Sequence, residues 1–151
     1  MRKLVVDAMI IVVSQIVIMR ANGATPLSDA DRVNSGRAVY EQHCASCHGA
    51  NAEGAPNWQE RDAHGELPAP PHNAEGHTWR HSDADLYEMV GKGWRDPFNK
   101  SKRLTMPAFG AEISPEQIRA VIGYLKTLWT PEQRQFQLQE SRDHPSPHRM
   151  P

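Results

Sequence analysis

The stretch that decides the fold of this 151-residue chain is Cys44-Ala45-Ser46-Cys47-His48. It holds both cysteines of the sequence, and a histidine follows the second one directly. Residues 28–43 lead into it with apolar side chains at three- and four-residue spacings, which predicts a helix that begins at Ser28 or Asp29. The sequence therefore presents two thiols and an imidazole close together at the end of a helix.

Cys-x-x-Cys-His is the attachment signature of c-type haem. Two thiols at this spacing can form thioethers with the two vinyl groups of one porphyrin, and the adjacent histidine can then supply an axial nitrogen to the iron. The sequence thus predicts one covalent haem c, held by Cys44, Cys47 and His48.

Three other uses of the two cysteines fit the chain less well. A thioredoxin-like redox pair needs a βαβ pattern, which the sequence lacks. A zinc site needs two further ligands at organised spacing, and the chain has no other cysteine. A disulfide after export is conceivable, but it would close too small a loop to stabilise the fold much.

Residues 104–109, Leu-Thr-Met-Pro-Ala-Phe, offer a sixth ligand to the iron. Pro107 removes a backbone donor and disfavours helix at Met106, which suits an extended ligand loop. A thioether ligand favours the ferrous state. Met106 can also be read as a core filler. The other candidate ligands are the four histidines of a long loop after the motif: His64, His72, His77 and His81.

The remaining periodic segments are helical. Residues 114–129 combine a capping box at Ser114 with a continuous apolar stripe, and residues 131–140 repeat the same start signal. Ser82 caps a shorter helix that ends near Gly91 or Gly93.

No strand pattern competes with these helices, so the predicted fold is all-α, with three to four helices around one haem. The stretch 49–81 is long and rich in Gly, Pro, Asn and His. A loop of this length inside a compact domain is usually functional, and here it can fold against the macrocycle.

The first 24 residues are typical of a secretory signal peptide, because a basic start precedes a mostly apolar run and small residues suited to cleavage. An uncleaved anchor is the alternative, although a membrane span normally needs about 20 apolar residues. We therefore expect a periplasmic protein, in contact with the membrane only if this segment is retained. The predicted organisation is a signal peptide at 1–24, one haem-binding domain at 25–130, and a short helix followed by a disordered polar tail at 131–151.

Charge excludes one class of partner. The chain has 17 basic and 18 acidic residues, and no basic run is interleaved with aromatic residues. Nucleic-acid binding is therefore not expected.

Over roughly residues 28–130 the chain resembles small bacterial monohaem c-type cytochromes of the His/Met class, a class I-like cytochrome c domain. The resemblance implies a cytochrome c-like fold in which the first and last helices cross at small and aromatic residues. Here those residues would be Gly36 and Tyr40 against Val121 and Tyr124.

The resemblance also implies that a proline carbonyl accepts the Nδ1–H of the axial histidine and orients its ring. Three prolines lie in the matching region, and Pro70 is the first choice over Pro68 and Pro71.

The function implied is that of an electron carrier, which is not itself an enzyme and exchanges electrons with partners such as an oxidase or a dehydrogenase. A cytochrome subunit of such a complex is an alternative. So is a haem protein with an open or displaceable sixth site that acts as a sensor or an enzyme. A separate alternative is that three loop histidines bind copper or zinc, namely His72, His77 and His81.

A cluster of basic residues just before Met106 is expected to steer redox partners to the haem edge. Its alternative interpretation is a solvated loop without a specific role. The cluster consists of Lys92, Arg95, Lys100, Lys102 and Arg103.

Overall fold

The computed structural model describes residues 28–100 and 103–145 as helices joined by long loops. The five α-helices, in chain order, are α1 Asp29–His43, α2 Ala45–His48, α3 Asp83–Lys92, α4 Pro115–Thr127 and α5 Pro131–Asp143. A 3-10 helix, Thr78–Arg80, precedes α3. Within the described ranges there is no β-strand, and the only isolated bridge pairs Trp94 with Met106. The all-α prediction is confirmed.

Some predictions concern parts of the chain outside the described residues. These are the signal peptide at 1–24, Lys102 of the basic cluster, and the tail from residue 146 onward. Of the helices in the described ranges, none is long and apolar enough to cross a membrane.

Capping boxes explain why the four longer helices begin where the sequence predicts. The hydroxyl of each cap accepts a hydrogen bond from the backbone N–H three residues on, and the side chain at that position binds the backbone N–H of the cap. Two donors without helical partners are satisfied in this way at each start. The caps are Ser28, Ser82, Ser114 and Thr130. α3 ends at Gly93, as expected.

The crossing of α1 over α4 organises the fold. At Gly36 an added Cβ would overlap the carbonyl of Ala120 and lie 3.0 Å from the Cβ of Tyr124. Only a glycine allows the two backbones to approach this closely. Tyr124 is a contact residue as expected, but the closest approach is at Ala120 rather than at Val121, which faces the core instead.

Apolar side chains from α1, α3 and α4 form the core beneath this crossing. The stripe predicted on α4 is buried at four helical positions and continues into Trp129. Tyr40 of α1 is fully buried and its ring lies 5.5 Å from that of Tyr124, centroid to centroid. The buried apolar residues are Val39, Tyr40, Ala52, Leu86, Ile113, Ile118, Val121, Ile122, Leu125 and Trp129.

α5 runs to Asp143, beyond the predicted end near Glu140, so the expectation of an irregular chain from residue 141 is wrong for its first residues. Tertiary contacts extend the helix. The buried Gln137 amide donates to Asp83 Oδ1 at 2.7 Å and contacts Ser141 Oγ at 3.0 Å. The Asp83 N–H donates to Ser141 Oγ at 2.9 Å. Local sequence propensity does not reveal these bonds, because they join α5 to the start of α3.

Candidate haem site

The Cys-x-x-Cys-His motif lies at a junction of two helices. Cys44 ends α1 and begins α2, and its carbonyl accepts the His48 N–H at 2.9 Å. Residues three and four positions apart lie on the same side of such a turn, so both thiols and the imidazole lie on one side of it. No sequence pattern predicts α2, which is a single turn.

Both cysteines of the chain belong to the described residues, and each is a free thiol. Cys44 is partly buried and Cys47 is exposed. Burial, and secondarily the neighbouring Cys47, raises the pKa of the Cys44 thiol to about 11. No disulfide joins the two sulfur atoms in the described part of the chain.

The His48 side chain is oriented by one hydrogen bond. His48 is 7% exposed, and its Nδ1 lies 2.8 Å from the carbonyl oxygen of Pro70. Since a carbonyl only accepts, Nδ1 carries the proton and Nε2 keeps its lone pair. Burial lowers the pKa of His48, against the opposing effect of the Pro70 bond. The ring is thus neutral, as a metal ligand must be, and the choice of Pro70 is confirmed.

Two backbone hydrogen bonds on either side of Pro70 hold its carbonyl at this position. The N–H groups of Ala55 and His72 donate to the carbonyls of Ala69 and Ala52, at 2.8 and 2.9 Å. Gly54 lies between them with a positive φ, and a Cβ there would meet the backbone of Pro70 and Pro71. No motif in the sequence singles out Gly54, although a glycine within a loop can signal a close backbone approach of this kind.

His72 is a second side chain of the site, which the sequence offers only as one of four loop histidines that could bind iron and as one of three that could bind copper or zinc. Its ring stacks on that of His48, with 3.9 Å between centroids and 26° between planes. Its Nδ1 lies 2.7 Å from the hydroxyl oxygen of Thr78, which is buried. Burial, and then the neighbouring His48 and His77, lower the pKa of His72 well below its usual range.

Met106 lies on a separate segment between α3 and α4. Its N–H donates to the Trp94 carbonyl at 2.9 Å, and the Trp94 N–H returns a bond to the Met106 carbonyl at 3.0 Å. The Phe109 N–H donates to the Val90 carbonyl at 3.0 Å, which ties the segment to the end of α3. The Met106 side chain is partly buried in an extended, non-helical segment, as Pro107 leads one to expect.

Two ion pairs fasten residues 61–66 of the long loop to this segment, and we call them the clasp. Arg61 donates to the nearly buried Asp96 at 2.6 Å. Arg103 donates to the nearly buried Glu66 through two nitrogens, of which Nε lies 3.1 Å from Oε1. Arg61, followed by the Phe98 N–H, lowers the pKa of the Asp96 carboxyl. The long loop therefore closes over the Met106 segment as well as supporting His48.

Two of the other three loop histidines, His77 and His81, contact each other. The rings of His77 and His81 lie 5.7 Å apart edge to face, and Trp58 stacks on His77 at 6.2 Å. In the described part of the chain no three His, Cys, Asp or Glu side chains converge on a possible metal position. The copper or zinc alternative for His72, His77 and His81 therefore has no structural support.

The donor set fits haem c. The site offers two thiols, from Cys44 and Cys47, and the buried, neutral imidazole of His48. The imidazole Nε2 takes no part in the bond to Pro70, and the Met106 thioether lies on a second segment. Thiols bond to porphyrin vinyl groups, while imidazole and thioether are the axial ligands typical of such haems.

Comparison with known proteins agrees with this geometry. The family model described as Cytochrome c matches residues 33–129. Two curated relatives named "Cbb3-type cytochrome c oxidase subunit FixP", from Sinorhizobium medicae (strain WSM419) and Rhizobium meliloti (strain 1021), are 26% and 24% identical over 106 residues. That alignment covers 70% of this chain but 33% of each relative. No solved structure matches the chain significantly.

The family match extends from α1 through Trp129, and so includes the helix crossing, the Cys-x-x-Cys-His motif and the Met106 segment. The chain belongs to the cytochrome c family: it carries covalent haem c and transfers electrons.

Proposed function

We propose that this chain is a periplasmic electron carrier with one haem, attached through Cys44 and Cys47 and ligated by His48 and Met106. The observation that carries the assignment of His48 is its buried ring, whose Nδ1–H is donated to the Pro70 carbonyl at 2.8 Å. Such an outer bond fixes the ring and leaves the other nitrogen for a metal. Cytochrome c domains of this kind are exported, which agrees with the predicted signal peptide at 1–24.

Bound haem supplies an iron that cycles between Fe(III) and Fe(II). The chain's own residues limit how far the two proposed ligands can move when the oxidation state changes. The Pro70 carbonyl holds His48 in one tautomer, and the Trp94 bonds hold Met106 in an extended backbone. His48 and Met106 would both hold the iron, so that no substrate would reach the metal and the chemistry would be restricted to electron exchange.

An exposed apolar surface next to Met106 is the proposed docking face for redox partners. Trp94, Phe98 and Leu104 are 46%, 72% and 44% exposed. Basic residues flank them in the sequence, and Asp96, the one acidic residue in 92–106, is bound by Arg61. Lys92 and Arg103 are paired with Glu88 and Glu66, which leaves Arg95 and Lys100 to carry most of the positive charge. Apolar contacts with a cationic rim suit a partner with an acidic surface. The described cations are Arg61, Lys92, Arg95, Lys100 and Arg103.

An oxidase is the partner that the relatives favour, since both are named as oxidase subunits. This chain spans about a third of their length. A second candidate role is therefore that of a subunit within an oxidase complex. Separation of mild-detergent extracts by native electrophoresis, followed by haem staining, distinguishes the roles. A carrier migrates as a small haem protein, whereas a subunit comigrates with oxidase activity.

Covalent attachment is tested by mass spectrometry of protein matured in a periplasm with haem attachment machinery. We expect the acid-denatured chain to retain one haem and the Cys44→Ala, Cys47→Ala double variant to retain none. Ser46→Ala, which alters the residue between the two cysteines, is the matched control and should keep its haem. A denatured wild-type chain without haem would overturn the proposal.

A further inference from the structure

The ring of His72 lies flat against the ring of His48. The centroids are 3.9 Å apart and the planes differ by 26°, so the two imidazoles overlap face to face. Tyr40 approaches the His72 ring edge-on from another side, at 6.5 Å. The loop thus covers one face of the His48 ring with a planar group, in addition to the Pro70 bond at its edge.

The structure holds His72 at three points. Its N–H donates to the Ala52 carbonyl at 2.9 Å, and its carbonyl accepts from the Trp129 indole at 2.9 Å. The third point is the ring itself, where Nδ1 lies 2.7 Å from Thr78 Oγ1. Thr78 is buried, and its hydroxyl also lies 3.4 Å from the Pro71 carbonyl. Backbone and side chain of His72 are therefore both anchored, which an incidental surface contact does not require.

A single hydrogen bond fixes the position of one ring atom, but hydrogen-bond angles at a carbonyl have a broad distribution. The Pro70 bond therefore still allows the His48 ring to rock about its Cβ–Cγ bond. A planar side chain against the face of the ring restricts that rocking.

We propose that His72 is a positioning residue that fixes the plane of the His48 imidazole, and through it the distribution of unpaired electron density in the ferric haem. This inference rests on the proposed ligation by His48. The π orbitals of an axial imidazole mix with iron orbitals in a direction set by the ring plane, so a change in plane redistributes spin among the four haem methyl groups.

The test is proton NMR of the ferric holoprotein, in which the haem methyl shifts report that distribution. His72→Leu removes the planar group, and we expect the spread or the order of the four methyl shifts to change. His72→Phe keeps a flat ring but loses the bond to Thr78, so it should change the methyl shifts less than His72→Leu does. Thr78→Val keeps the buried volume but releases the anchor of the His72 ring, so a smaller change in the same direction is expected. His64→Leu, on an exposed part of the same loop, should change nothing.

Unchanged methyl shifts in His72→Leu would overturn the inference, as would equal changes in His72→Leu and His72→Phe. If His72→Leu fails to mature, Thr78→Val decides: wild-type shifts there overturn the inference, and displaced shifts support it. The wild-type spectrum separates this inference from the proposed function. If it lacks the signature of low-spin histidine and methionine ligation, the proposed ligation fails before any variant is compared.

Discussion

Two glycines show how differently one residue type contributes to this fold. Gly36 lies where α1 meets the Ala120 carbonyl of α4, and any side chain there would displace one of the helices. Gly123 lies on α4 itself, and a Cβ added there meets nothing within 4 Å. The first glycine is required by close packing, while the second only weakens its helix.

We therefore expect opposite effects from the same substitution at the two positions. Gly36→Ala should lower the free energy of unfolding by about 1–3 kcal/mol, because the crossing must open to admit the methyl group. Gly123→Ala should raise it by about 0.5–1 kcal/mol through reduced backbone freedom of the unfolded chain. Chemical denaturation of the two variants checks both values. A neutral Gly36→Ala would show that the crossing is not tightly packed.

At the residue scale the sequence predicts the residues proposed to bind haem better than the residues that hold them in place. Cys44, Cys47 and His48 follow from their spacing, and Pro70 follows from family resemblance. The role of His72 cannot be predicted in this way, because four histidines lie in one loop and no local pattern indicates which of them folds back onto His48. That choice depends on the backbone bonds between residues 52–55 and 69–73, which join positions distant in the sequence.

At the scale of elements, the clasp joins two segments that have no regular structure of their own. Arg61 and Arg103 bind Asp96 and Glu66, acids that are 7% exposed and hence largely removed from water. A nearly buried carboxylate that loses its cation is costly. The clasp thus makes the position of the Met106 segment depend on the long loop.

The Asp96 carboxyl makes the stability of the clasp depend on pH. Its pKa is lowered by Arg61 and by the Phe98 N–H, from an ordinary value of 3.8. In acid the unfolded chain therefore binds more protons than the folded chain, so the free energy of unfolding falls as the pH drops below about 5. Asp96→Asn should be about 1 kcal/mol less stable than wild type at pH 7, and the difference should shrink in acid.

Urea unfolding of both proteins at a series of pH values measures this convergence. Glu60→Gln, an exposed change in the same loop, is the control and should follow the wild-type curve. A difference between Asp96→Asn and wild type that stays constant from pH 7 into acid would contradict the assignment.

α5 depends on one buried amide. Gln137 is 1% exposed, and its Nε2 bonds to Asp83 and Ser141. We expect Gln137→Ala to lower the free energy of unfolding by about 1–3 kcal/mol, because it removes a buried side chain and leaves the partly buried Asp83 and Ser141 without this hydrogen-bond partner. It should also speed proteolysis within α5. Gln135→Ala, on the exposed side of the helix, is the control. Equal protease resistance of the two variants would argue against this role.

The elements themselves are largely predictable, since four capping boxes announce the starts of α1, α3, α4 and α5. The exceptions are those held by tertiary contacts. The single turn of α2 and the last turn of α5 have no apolar periodicity, and the clasp pairs charges more than thirty positions apart.

At the scale of the whole molecule, charge is distributed unevenly around a nearly neutral chain. The formal net charge is -1, yet residues 92–106, which carry the exposed apolar residues beside Met106, contain several basic residues and one acid, Asp96. Local fields of this kind raise association rates with partners of opposite charge.

Small redox reagents test this field without a protein partner. Arg95→Glu, Lys100→Glu should slow electron exchange with anionic ferricyanide by about tenfold at low salt, and high salt should reduce the effect. Exchange with a cationic cobalt complex should instead become faster. Arg37→Glu, Arg142→Glu changes the net charge equally on the exposed surfaces of α1 and α5 and should have a smaller effect. Equal effects of the two double variants would exclude a local steering surface.

The central claim is that His48 and Met106 together close both axial positions of the haem. The most direct test is the visible spectrum of the matured protein, oxidised and reduced, with and without CO. We expect a low-spin spectrum that CO leaves unchanged in the wild type, and a CO-binding spectrum in Met106→Ala. A wild-type haem that already binds CO would contradict the claim and indicate an open or displaceable sixth site.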